Sequence, residues 1–234
     1  MKTVIAFILS LFLTSPVYAG EWSFGVDGGL AVPTQNYFPT NTGDAGTHSL
    51  PYFQALEASE GAIISTYVVH SIWKPWFNLG LLGLYDTTGA SAISPVDPAL
   101  YRRLKNNGTG AKTNLGMVDT WAVMPYLRIS PWTLGYWTPF FGVGCGWSWN
   151  VWSNPSTLKL PNGDFGARIT QALITRMEFG TDYSFSRNVE AEAMIGFQEN
   201  DPLASVDLPN GVGGMDQEFQ MSLFFVEIGA HFKL

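Results

Sequence analysis

Apolar residues alternate with small or polar ones at a period of two through eight segments of the chain. This is the spacing at which side chains of an extended strand project to opposite faces. The last segment, residues 217–234, sets Phe224, Val226, Ile228, Ala230, Phe232 and Leu234 on one face and Phe225, Glu227, Gly229, His231 and Lys233 on the other. The fifth, residues 138–152, is equally regular: Phe141, Val143, Cys145, Trp147 and Trp149 oppose Gly142, Gly144, Gly146, Ser148 and Asn150. Strands are likewise predicted over 21–32, 62–74, 77–86, 115–130, 167–183 and 189–199. The fourth is the least regular, because Asp119, Trp121 and Pro125 share a face with Tyr126 and Arg128 opposite, so its pattern does not assign the greasy side.

The connections add a second regularity. Those at 34–61, 87–114, 153–166 and 200–216 are long, and those after strands two, four and six are short. Long loops on one side and short turns on the other are the asymmetry of outer-membrane barrels, with the short turns in the periplasm. Turned inside out, the same alternation would build a soluble lipocalin-like barrel, but that architecture leaves the loop asymmetry unexplained.

An export leader precedes the strands. Lys2 gives a positive start, Val4 to Leu13 an apolar run too short to span a bilayer, and Val17-Tyr18-Ala19 a small-residue cleavage pattern. Residue 20 is glycine, which closes the lipoprotein route because that route needs a cysteine there. The expected organisation is therefore a signal peptide, 1–19, and one barrel domain, 20–234.

Composition agrees with strands that are greasy on one side only. Charged residues make up 13% and aromatics 15%, with 9 Trp, yet no later segment has the long apolar run of a membrane helix. A net charge of −7 argues against nucleic acid as a partner, since phosphate needs a basic footprint. The single cysteine, Cys145, excludes an internal disulfide and sits in an apolar row as a small filler.

Three stretches carry a resemblance: Trp22-Ser23-Phe24-Gly25-Val26-Asp27-Gly28-Gly29, Thr138-Pro139-Phe140-Phe141-Gly142-Val143-Gly144, and Phe225-Val226-Glu227-Ile228-Gly229-Ala230-His231-Phe232. With the strand pattern, the chain resembles the small eight-stranded outer-membrane barrels of the OmpA, OmpX, opacity-protein and OmpW kind. The resemblance implies an all-β fold, an eight-stranded antiparallel transmembrane up-and-down barrel with short periplasmic turns and long external loops. It implies the outer membrane of a Gram-negative-type bacterium as location, with outer-membrane lipid and lipopolysaccharide as surroundings. It also implies that the barrel assembly machinery reads the C-terminal strand, where Phe232 lies two residues before the terminal Leu234. A structural, surface-interaction or adhesion role, host surface included, is expected. The alternative is an OmpW-like passive channel for hydrophobic or small solutes, and a lipid A-modifying enzyme is a more distant third.

Eight strands leave an interior just wide enough for side chains. Asp27, Arg128, Arg176, Glu178, Asp182, Glu190, Glu192 and Glu227 all fall on inner rows and are expected to pair as a charge network filling the lumen. The second long loop holds a helix-like stretch at 97–108, with Asp97 as N-cap, Pro98 in the first turn and Gly108 at the end. Its Arg102, Arg103 and Lys105, with Lys112 nearby, form a basic cluster suited to lipopolysaccharide phosphates or an acidic host polymer. The histidines are His48, His70 and His231; His70 and Ser71 adjoin but must point to opposite faces, so no catalytic set is expected, nor a cofactor or metal site. Trp73, Trp76, Trp132, Tyr136 and Trp137, near the turns, are expected to form the inner aromatic girdle.

Overall fold

The computed structural model describes residues 21–35, 53–73, 76–95, 112–153, 159–160, 163–164, 166–207, 215–218 and 221–234. Eight strands close into one barrel: β1 (Trp22–Pro33), β2 (Phe53–Trp73), β3 (Phe77–Pro95), β4 (Lys112–Ile129), β5 (Trp137–Ser153), β6 (Ala172–Ser184), β7 (Val189–Asn200) and β8 (Leu223–Lys233). Each pairs antiparallel with its neighbours in the chain, and β1 pairs with β8 from Ser23↔Lys233 to Pro33↔Leu223. Closure leaves no unpaired edge for lipid to satisfy. Among the described residues no helix is long and apolar enough to cross a membrane.

The barrel is inside out. Leu30, Ile64, Leu81, Val123, Trp147, Phe179, Ile195 and Ile228 are exposed on its outer wall. Asp27, Arg128, Arg176, Glu178, Asp182, Glu190, Glu192 and Glu227 are each 3% exposed or less. A water-soluble barrel would do the reverse, since apolar area is stabilised out of water and isolated charge is costly inside. The apolar row runs unbroken from Phe224 to Phe232 on β8 and from Trp121 to Ile129 on β4, the length of about 9–11 residues that a tilted strand needs to cross a bilayer. On β4 the outward side is that of Trp121, Val123 and Pro125, with Tyr126 and Arg128 inside.

Polar groups mark the outer limit of this belt. The Tyr85 hydroxyl donates to Asp119 Oδ1 at 3.0 Å and Trp147 Nε1 donates to Gln171 Oε1 at 3.0 Å. At the other limit Trp76, Trp132, Tyr136 and Trp137 stand exposed beside the short turns, as the girdle requires. Trp73 ends β2, but its side chain lies outside the described residues. The β4–β5 turn is tight because Leu134 and Trp137 exchange backbone hydrogen bonds of 2.7 and 3.1 Å around Gly135, whose φ is 65°. Hairpin turns of this length favour glycine at such an angle.

Several boundaries differ from expectation. β2 begins at Phe53 and β3 continues to Pro95, where loops were predicted at 34–61 and 87–114. Small and polar residues dominate these extensions, so the apolar alternation stops while backbone pairing continues, through a register shift between Ser59 and Ala62. A second shift between Ala90 and Ser91 lies beside Gly116, whose φ of 118° lets β4 bulge. The predicted strands 167–183 and 217–234 are each divided. Gly166–Ile169 and Met215–Glu218 leave the barrel wall and flank Leu203–Asp207 in a separate three-stranded sheet. Lys159–Leu160 pairs with Gly163–Asp164 in the fifth connection. The leader at 1–19, the helix at 97–108, His48, and Arg102, Arg103 and Lys105 lie outside the described residues. Lys112 is the first residue of β4, not part of a loop.

Candidate functional site in the lumen

Two buried arginines organise the charges. Arg128 points inward from β4 opposite Gly142 of β5, where the missing side chain leaves room for it to reach across to β6 and β7. Its Nη2 donates to both oxygens of Asp182, at 2.7 and 2.6 Å, and its Nη1 donates to Glu192 Oε2 at 2.9 Å and to the Tyr67 hydroxyl at 2.6 Å. The Tyr67 hydroxyl in turn donates to Glu192. The guanidinium also lies 3.5 Å from the centroid of the Phe140 ring, a cation–π contact strengthened by loss of water.

Arg176 forms the second layer, nearer the outer side. Its Nε donates to Glu178 Oε2 at 2.6 Å, its Nη2 to Glu227, and its guanidinium lies 3.9 Å from the Phe225 ring centroid. The Tyr126 hydroxyl donates to Glu178. A Cβ at Gly142 would lie 2.6 Å from both Glu178 Oε1 and the Tyr126 hydroxyl oxygen. The glycine row of β5 is thus the floor on which these side chains rest.

The eight residues expected on the inner face are all buried. Arg128 is central to the first layer and serves acids from two strands. Asp27 meets no base: neither carboxylate oxygen has a hydrogen bond among the described residues. Glu190 pairs with Lys233 at 2.5 Å and accepts from the Ser184 hydroxyl at 2.5 Å. Sequence inspection gave no role to Tyr67, Tyr126, Asp86 or Gln198. The period-two pattern places both tyrosines inside, whereas Asp86, which accepts from Gln198 Nε2 at 2.8 Å, stood at what looked like a strand end. Farther out, Ser148, Asn150, Asn200 and Thr120 form a neutral polar rung.

His70 and Ser71 point apart as alternation requires. The His70 ring lies 4.7 Å from Trp22, while the Ser71 hydroxyl donates to Asn78 Oδ1 at 2.7 Å. They do not form a base and nucleophile.

Within the lipid-facing span, the β4–β5 ladder is interrupted. The β4–β5 ladder runs from Met117↔Ser153 to Val123↔Trp147 and resumes at Tyr126↔Gly144, omitting Met124 and Pro125. Pro125 has no N–H to give, and proline is otherwise confined to sheet edges and bulges. This interruption lies outward of Arg128 along β4.

Solved structures share this architecture. OprG from Pseudomonas aeruginosa superposes with a TM-score of 0.67 at 13% identity, over 92% of this chain and 96% of that one. This is the fold of a small outer-membrane β-barrel. AlkL, solved in lipid bilayers, gives 0.50 at 12% identity, covering 92% and 90%. The Escherichia coli outer membrane protein W, at 0.42 and 14% identity over 92% and 98%, adds no weight. No family model and no curated protein matches the sequence.

Proposed function

We propose that this barrel is a passive entry route for small, predominantly apolar solutes across an outer membrane, and that solutes leave through its wall instead of along its full lumen. The observation that carries this reading is the missing pair of rungs at Met124 and Pro125, which lies outward of the Arg128 layer. A hydrated pore along the axis is disfavoured because Arg128 and Arg176, each 1% exposed, fill the lumen with bonded charge. A solute arriving from outside passes the Ser148, Asn150, Asn200 and Thr120 rung before it reaches the level of the interrupted ladder, and the Arg128 layer closes the lumen beyond it. In this reading the leader is cleaved near Ala19 and lipopolysaccharide forms the outer leaflet around the belt.

A second reading is a sealed barrel with a structural or surface role, favoured by the same filled lumen. Entry of a small apolar dye into cells with a lipopolysaccharide outer leaflet separates the two. Expression of the barrel should speed entry, and Pro125→Ala, which restores a backbone donor to the ladder, should slow it at equal barrel abundance. Entry no faster than in cells lacking the barrel would leave the sealed reading. Planar bilayers should show no discrete ion conductance in either case.

A further inference from the structure

The periplasmic mouth of the lumen holds a cavity of about 160 Å³. Among its lining residues are Asp182, Glu190 and His231, brought together from the three consecutive strands β6, β7 and β8. Glu190 and His231 face each other as a cross-strand pair, and Asp182 is paired with Glu192, two residues farther along β7. His231 Nδ1 lies 3.1 Å from Glu190 Oε2 and 3.6 Å from Asp182 Oδ2, and one ligand atom from each residue falls within 4.8 Å of the others.

The imidazole side chain is 8% exposed, yet neither ring nitrogen makes an aligned hydrogen bond among the described residues. A histidine placed to serve only as a salt-bridge donor would aim its N–H at one carboxylate. Three donors bonded to a common ion at about 2.1 Å in tetrahedral geometry would stand about 3.4 Å apart, which the two measured separations bracket. The charge balance also favours a cation. In this layer the three buried acids Asp182, Glu190 and Glu192 face two cations, Arg128 and the half-buried Lys233.

We propose that Asp182, Glu190 and His231 bind one divalent transition-metal ion of the Zn²⁺ class, with its remaining position facing the cavity. One imidazole and two carboxylates suit such an ion better than Ca²⁺, which takes six to eight oxygens. The neighbouring cations can coexist with it. Arg128 occupies Asp182 without using all its lone pairs, and Lys233, on Glu190 Oε1, leaves Oε2 to the metal. Bound there, the ion would tie three strands together at the end of the barrel where the chain terminates.

The test is calorimetric titration of Zn²⁺ into the untagged, chelator-stripped barrel in detergent, with heat-modifiable migration verifying the fold. One equivalent should bind. His231→Gln should weaken binding at least tenfold, whereas the double variant His48→Gln, His70→Gln should bind as the wild type does. The wild type also gives a readout independent of any variant. Zn²⁺ should protect His231 from diethylpyrocarbonate, read by mass spectrometry, and Co²⁺ should develop the strong visible bands of a four-coordinate site. Absence of saturable Zn²⁺ binding by the folded barrel, undiminished binding by His231→Gln, or full modification of His231 in saturating Zn²⁺ would each overturn the proposal.

Discussion

The Arg128 guanidinium clasps both oxygens of Asp182, at 2.7 and 2.6 Å, reaching past β5 from β4 to β6. A hydrogen-bonded pair of this kind sets strand positions relative to one another, and His231 Nδ1 lies 3.6 Å from Asp182 Oδ2 beside it. Removing either member leaves a desolvated charge.

Arg128→Ala should therefore destabilise the barrel by about 3–5 kcal/mol, the scale for breaking a buried ion pair from one side. Urea unfolding followed by tryptophan fluorescence in a fixed detergent would measure it. A loss under about 1 kcal/mol would mean that water reaches Asp182 and Glu192, as at an exposed pair.

Gly142 lies against the hydrogen bond from Tyr126 to Glu178, and a Cβ there would sit 2.6 Å from an oxygen of each. Gly142→Val should lower the yield of heat-modifiable barrel and destabilise what folds by about 1–3 kcal/mol, as overpacking does. Gly135, with φ of 65° and nothing within 4 Å of a Cβ, provides the contrast. There Gly135→Asn should be tolerated, because asparagine adopts that backbone angle.

Ile228 stands 69% exposed in the apolar row of β8. In lipid, Ile228→Lys should cost about 2–4 kcal/mol, the price of a charge near the bilayer midplane. Equilibrium unfolding from phospholipid vesicles would read it, and a cost near zero would place Ile228 outside the hydrocarbon.

Cys145 is exposed beside the interrupted ladder, on the outer wall. In vesicles a lipid-soluble maleimide should modify it, and a charged, membrane-impermeant thiol reagent should not. Equal modification by both reagents would put this part of the wall in water.

The barrel was legible because period-two alternation is a direct image of a wall with lipid on one side. Phe141 to Trp149 and Phe224 to Phe232 can be read by eye. What lies above the lipid was not legible. Phe53–Gly61 and Thr87–Pro95 are strands by backbone pairing, and their mostly small and polar residues carry no regular apolar alternation in the sequence. The inner position of the charges followed from the same alternation, but their partners did not. Arg128 reaches past β5 to β6 and β7, and such contacts depend on closure, not on sequence neighbours. The mouth cluster escaped notice for the same reason: Asp182, Glu190 and His231 have no ligand spacing along the chain and meet only because three strands do.

The seam between β1 and β8 joins the first and last strands of the barrel, and it bears on the order of events during biogenesis. No closed sheet exists while Leu223–Lys233 is still being synthesised or exported, because Trp22–Pro33 has no partner on that side until then. Every unfinished chain carries two open strand edges and invites pairing with another copy. The protein must be kept solitary until its final residues emerge.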